Sequence, residues 1–133
     1  MLRGGRADAA VTFEGDDEWD TFHLAVVDDD QTTVAVVTFL ERECPARPGV
    51  HPARQLRGMA VAADRQGEGL GAALLAAGVA RCREAGDAVL WAHARESAVG
   101  FYEAHGLRAE GDVYDHPVGD GTLSHRTVVL DLG

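Results

Sequence analysis

From Phe22 onward the chain alternates short β-branched apolar runs with clusters of turn residues. The runs FHLAVVD and TTVAVVTFLE, joined by Asp29, Asp30 and Gln31, predict an antiparallel hairpin. ECPARPGVHPA then interrupts the pattern with three prolines, and RQLRGMAV predicts the next strand. The period changes after that strand. From about Glu68 to Ala85, Leu70, Leu74, Ala77 and Arg81 fall on one helical line with Leu75, Val79 and Cys82 beside it, and Gly86 follows as a helix stop. AVLWAHA predicts a strand, and SAVGFYEAH a short helix ended by Gly106. LRAEGDVYD and TLSHRTVVLDL predict two more strands flanking a turn-rich HPVGDG. The order β-β-β-α-β-α-β-β makes this an α/β (α+β) chain, with a mixed sheet and helices packed on it. Residues 1–21, with EGDDEWDT clustering acids around Trp19, show little periodicity and are expected to form a loop or arm.

With 133 residues, 46% of them hydrophobic, the chain has the material for one domain with a sizeable core. No apolar run approaches the ~18 residues of a membrane span and MLRGGRADAA has no secretion-signal core, so a cytoplasmic protein with no membrane partner is expected. A formal charge of −10 argues against nucleic acid and, weakly, for a cationic or neutral substrate. Cys44 and Cys82 lack a C-x-x-C partner and are expected to be reduced thiols, Cys82 packing a helix. The six histidines show no metal-ligand spacing, so no metal is expected.

The chemistry concentrates in QGEGLGA, residues 66–72, at the head of the helix. Glycine costs roughly 0.5–1 kcal/mol relative to alanine within a helix, so three at alternate positions serve something besides helix stability. The first-turn amides of a helix have no intrahelical partner and sit at the positive end of its dipole, a natural seat for phosphate. A P-loop requires lysine, and the chain has none. A dinucleotide fingerprint is met nominally by Gly67, Gly69 and Ala72, but AADRQ separates the strand from the first glycine.

Gln66, Gly69 and Gly71 also form Q-x-x-G-x-G. About 30 residues on, Ala98, Phe101, Tyr102, Gly106 and Leu107 form A-x-x-F-Y-x-x-x-G-L on the next strand–helix unit. Together these resemble the GNAT N-acetyltransferases, from about Phe22 to Leu132. HAR at 93–95, FYEAHGL and TLSHR are similar to the ElaA-like branch, although Arg95 stands where an amide is usual there and Ala63 replaces a common proline. The family's first strand and two helices are expected to be missing before residue 20.

The resemblance implies an enzyme that transfers acetyl from acetyl-CoA to a primary amine by direct attack. It also implies a GNAT-type sheet, mostly antiparallel, with a splayed central pair of strands. The strand carrying Met59, Ala60 and Val61 would part from that carrying Trp91 and His93, letting pantetheine pair with its free backbone. The amides of Gln66, Gly67, Glu68, Gly69, Leu70, Gly71 and Ala72 would cradle the pyrophosphate. Tyr102 is the expected general acid and His93 the expected base, with Glu41, Glu43 and His125 as alternatives and His105 a helix-end cation. A non-catalytic acyl-CoA-binding module is the other reading. Residues 1–21 and 41–55 are expected to shape the acceptor pocket. Phe22–Val27 is expected at a sheet edge with an uncovered apolar face, which favours a homodimer over a folded-back arm anchored by Phe13 and Trp19.

Overall fold

The computed structural model describes residues 9–15, through their backbone pairing, and 21–132. Seven strands form one sheet: β1 (Ala9–Gly15), β2 (Thr21–Asp28), β3 (Thr33–Glu41), β4 (Ala53–Val61), β5 (Val89–Arg95), β6 (Arg108–Val118) and β7 (Gly121–Asp131). Their order across the sheet is β1-β2-β3-β4-β5-β7-β6. Every neighbouring pair is antiparallel except β4 with β5. The helices are α1 (Leu70–Ala85) and the short α2 (Val99–Ala104).

The α1 stripe packs as its period requires. Leu70, Leu74, Leu75 and Cys82 are buried together with Phe22, Leu24, Val26, Phe39, Leu56 and Leu90 from the sheet. A Cβ on Gly78 would lie 2.0 Å from Phe39 Cζ, so α1 approaches β3 this closely only because residue 78 has no side chain. The opposite face of the sheet holds a smaller core of Cys44, Ala53, Val89, Trp91 and Val129, roofed by the 42–52 loop through Ala46 and Val50. Arg47 fastens that roof: its guanidinium donates to both Glu110 oxygens at 2.7 and 2.8 Å and to both Asp131 oxygens at 3.0 Å. Glu110 and Asp131 are accordingly held below the usual carboxylate range, chiefly by these hydrogen bonds.

Three sequence expectations change. Ala9–Gly15, within the stretch expected to be a loop or arm, is a strand, and its backbone pairs with Gly15 opposite Phe22 and Ala9 opposite Asp28. A first strand is thus present, and β2 is an interior strand whose Phe22, Leu24 and Val26 are covered by α1. The bare edge that favoured a homodimer is not there; the proposed anchor Trp19 and the side chain of Phe13 lie outside the described residues. Second, the turn expected over HPVGDG is only Gly119–Asp120, so β6 runs on through His116 to Val118. The alternation of Tyr114, His116 and Val118 was masked by Pro117 and three neighbouring turn formers. Third, α1 begins at Leu70, two residues later than the hydrophobic period suggested, because Gly69 at φ +80° is left-handed and cannot start a helix.

Candidate active site

β4 and β5 pair for three residues only, Ala53–Gln55 with Val89–Trp91. That end is pinned. Arg54 Nε donates to Asp87 Oδ2 at 3.0 Å in a nearly buried ion pair, and the Ala88 amide donates to the Pro52 carbonyl at 2.8 Å. Beyond Gln55 the strands part. At the parting, Gly58 and Met59 together face Val37 of β3, a bulge that Gly58 accommodates at φ +69°. On its other side β5 stays laddered to β7 along its whole length, from Val89 opposite Asp131 to Arg95 opposite His125. The result is a cleft of about 770 Å³ between β4 and β5, with Met59 and Arg57 on one wall and His93, Tyr102, His116 and His125 on the other.

A second hollow, of about 330 Å³, adjoins the head of α1 and is lined by Val61, Arg65, Gln66, Gly69, Gly71 and His105, among others. The chain from Gln66 to Gly69 is a turn, and Gly67 at φ +86° and Gly69 at φ +80° take conformations that side chains disfavour. Part of the answer to the glycine spacing is therefore backbone geometry. Gly71 differs: its φ is ordinary, and a Cβ there would be only in van der Waals contact, 3.6 Å from Met59 Sδ and Phe101 Cζ. Its lack of a side chain serves the space in front of it. No side chain caps α1 and its first turn contains no acid, which leaves those amides facing the hollow. Glu68, the acid just before, is held by Arg65 Nε at 3.0 Å, and Arg65 also reaches Asp28. Gln66 reaches back to the Val61 carbonyl at 3.4 Å, while the Leu70 side chain is core, leaving only its amide to the site. Ala60, on the exposed side of β4, and Val61 pair with β3 on one edge and lie beyond the last β4–β5 pair on the other. His105 caps the C-terminal end of α2 as expected and stands edge-on to Phe101 at 4.8 Å.

At the far end three strands bring aromatic nitrogen groups together. Trp91 and His93 share a face of β5, rings edge-to-face at 5.0 Å. His93 stacks on His116 at 4.3 Å, and His116 meets His125 at 5.0 Å. The His93 Nδ1 is hydrogen-bonded to the Tyr114 hydroxyl, which lies 3.3 Å from Thr127 Oγ1. His125 Nδ1 donates to the Leu123 carbonyl at 2.8 Å. Burial, and secondarily the charges His116 and His125 can carry, push His93 below the ordinary imidazole value, so it is neutral at pH 7. Tyr102 is buried at 8% exposure yet lines the cleft, and burial raises its phenol above the ordinary value.

His93, Tyr102 and Met59 are thus brought to one cleft, which His125 also lines, and the glycine turn to a separate hollow, where Gly71 lies against Met59 of the cleft. Glu41 and Glu43 are not. Neither lines the cleft, and Glu43 faces His51 at 3.7 Å on the surface. Of residues 41–55 only Gln55 lines the cleft, so the wall expected from that loop is supplied by β6 and β7. His116 and Tyr114 were not singled out in the sequence. Their signal was the alternation of β6 opposite His125, visible once the hairpin turn is placed at Gly119–Asp120. Both cysteines are buried and neither lines the cleft, and burial lifts the Cys82 thiol to about 12. Among the described residues, no group of three His, Cys, Asp or Glu is placed to hold a metal ion, and no helix is long and apolar enough to cross a membrane.

Comparison with known proteins agrees with this geometry. The ribosomal-protein-S18-alanine N-acetyltransferase of Escherichia coli superposes with a TM-score of 0.69 at 21% identity, over 88% of this chain and 72% of that one. Spermidine N-acetyltransferase of Vibrio cholerae, in a dodecameric structure, gives 0.70 at 16% identity over 86% and 67%. A Klebsiella pneumoniae protein described as an acyl-CoA N-acyltransferase gives 0.72 at 13% identity over 96% and 100%. No curated protein sequence matches significantly. The model of the acetyltransferase (GNAT) family matches residues 5–107, taking in the glycine turn, the parted strands and Tyr102, and the chain belongs to that family.

Proposed function

We propose that the protein transfers the acetyl group of acetyl-CoA to a primary amine by direct attack. The observation that carries this is the end of the β4–β5 ladder at Gln55 and Trp91, which opens a cleft holding a neutral histidine, with the hollow at the uncapped helix amides adjoining it through Met59 and Gly71. The amides of Gln66–Ala72 hold the pyrophosphate, and the unladdered edge of β4 at Met59, Ala60 and Val61 binds the pantetheine amides. Bound acetyl-CoA supplies a thioester carbonyl open to nucleophiles.

Tyr102 gives its proton to the departing sulfur. The transfer is uphill, since a phenol near ~10 that burial raises further is a weaker acid than a thiol near ~8.5, so the gain is modest. His93 receives a proton from the amine. Transfer from a free ammonium near ~10.4 to an imidazole below ~6.5 is uphill by about 4 units or more, so the ammonium first loses one proton to water to expose its lone pair, and His93 takes the second as the C–N bond forms and the nitrogen becomes acidic. For Nε2 to accept, Nδ1–H must donate to the Tyr114 oxygen, whose own hydrogen then points to Thr127. In becoming an amide the ammonium sheds two protons in all, one to water before it attacks and one as the C–N bond forms. The one taken by His93 restores Tyr102, and the other has left to water. HAR at 93–95 and TLSHR favour placing the chain in the ElaA-like branch.

The test is release of free thiol from acetyl-CoA over a panel of amines, with mass analysis of the amine. Amine-dependent thiol release with matching acetylated product is expected. Acetyl-CoA binding with no amine-dependent release would instead mark an acyl-CoA-binding module.

A further inference from the structure

The cleft carries the charge opposite to that of the molecule. The chain has 22 acidic residues against 12 basic ones, yet among the described residues no Asp or Glu lines the cleft. Its walls present Arg57, Arg95 and the three imidazoles of His93, His116 and His125. The other described arginines are engaged elsewhere. Arg47, Arg54, Arg65 and Arg108 face carboxylates, Arg42, Arg83 and Arg126 donate to carbonyls, and Arg81 lies over the Phe22 ring. Arg57 and Arg95 are exposed and form no hydrogen bond or ion pair with a described residue.

The pyrophosphate does not account for them. The hollow at the head of α1 shares no lining residue with the cleft. Alternation puts Arg57 with Ala53 and Gln55 on β4, and Arg95 with Trp91 and His93 on β5. Ala53 and Trp91 lie in the small core on the face away from the helices, so both guanidinia lie on that face, where an acceptor would meet His93. A guanidinium is a rigid fork of donors that matches a carboxylate, and a concave site concentrates the field of the charges lining it.

We infer that the acceptor is an amine carrying a carboxylate, held by Arg57 and Arg95 while its nitrogen faces His93. This rests on the acetyltransfer reading and narrows it. It reverses the expectation drawn from net charge: a polycationic acceptor would meet two guanidinia with no acid among the described lining residues to balance them.

Three acceptors of equal reach and similar amine basicity separate the cases: ε-aminocaproate, n-hexylamine and hexamethylenediamine. ε-Aminocaproate is expected to exceed n-hexylamine by about tenfold or more in kcat/KM, with the diamine last. Arg57→Gln and Arg95→Gln should each remove most of the preference through KM, and high salt should shrink it. A diamine used as well as ε-aminocaproate, or a preference unchanged in both variants, would overturn the inference. A tripeptide amide beginning with Asp, set against its Asn counterpart, tells a peptide source from a free aminocarboxylate. Binding is read separately from turnover through the imidazole proton resonances of His93, His116 and His125. Hexanoate should shift them and hexylammonium should not; absence of a hexanoate shift refutes the inference even where turnover is intact. Loss of turnover with all amines while the hexanoate shift remains refutes acetyltransfer alone.

Discussion

The two ends of the candidate site, the hollow at α1 and the cleft at His93, are built by opposite means. The end at α1 is backbone: seven consecutive residues, Gln66–Ala72, two of them in left-handed conformations and none offering a capping side chain. The end at His93 is side chain: imidazoles from β5, β6 and β7, set ring against ring by strand register, with Tyr114 and Thr127 beneath them. A backbone site takes any ligand with phosphates and the right reach, and tolerates change wherever glycine is kept. A side-chain site is specific, and each of its members can be altered without disturbing the other end. Under the proposed function, binding of the donor and choice of the acceptor are thereby separable.

The largest break in that separation should come at His93. His93→Gln keeps a polar side chain of similar size but has no basic nitrogen, and kcat is expected to fall by about 10²-fold with acetyl-CoA affinity unchanged. Its pH dependence sharpens the point. The folded-state value of His93 lies below the ordinary ~6.5, so as pH falls below ~6.5 the unfolded chain takes up more protons than the native one. Stability is therefore full above that value and declines through the window down to the lowered one. kcat should fall at the acidic end of the same window, and His93→Gln should flatten that acid limb. An acid limb unchanged in the variant would assign the titration to another group.

Tyr102→Phe comes next. It keeps the ring in its buried place and removes only the hydroxyl, so about a tenfold loss of kcat is expected with little change in acetyl-CoA affinity or melting temperature. Lost stability with intact turnover would make Tyr102 a packing residue.

How far the sequence revealed each end follows from the same contrast. The glycine end is contiguous, so the spacing from Gln66 to Gly71 was legible before any fold was known, as was Tyr102 on its short helix. His93 was legible through alternation with Trp91 on one strand. His116 was not, because its partners His93 and His125 come from β5 and β7 and only the register of β6 against β7 brings them together. The same limit hid Ala9–Gly15. A strand whose evidence is pairing with Thr21–Asp28 has little to show in its own composition when acids and glycine surround it. The bulge at Gly58 was likewise invisible, since a glycine inside a strand-like run specifies a bulge only once its partner strand is known. Net charge is silent here for a related reason: the total of −10 averages over the surface and does not reveal that Arg57 and Arg95 line the cleft.

The central claim, that the backbone at the head of α1 binds the donor, is tested most directly by calorimetric titration of acetyl-CoA into the wild type and Gly71→Leu. Gly71 is the informative position because its φ is ordinary, so the variant avoids the backbone strain that Gly69 would add, and its Cβ would meet only Met59 and Phe101, at van der Waals distance, with the rest of the leucine filling the approach. Affinity should drop more than tenfold, about 1.4 kcal/mol or more, with the melting temperature close to that of the wild type. Equal acetyl-CoA affinity in the two proteins would contradict the account.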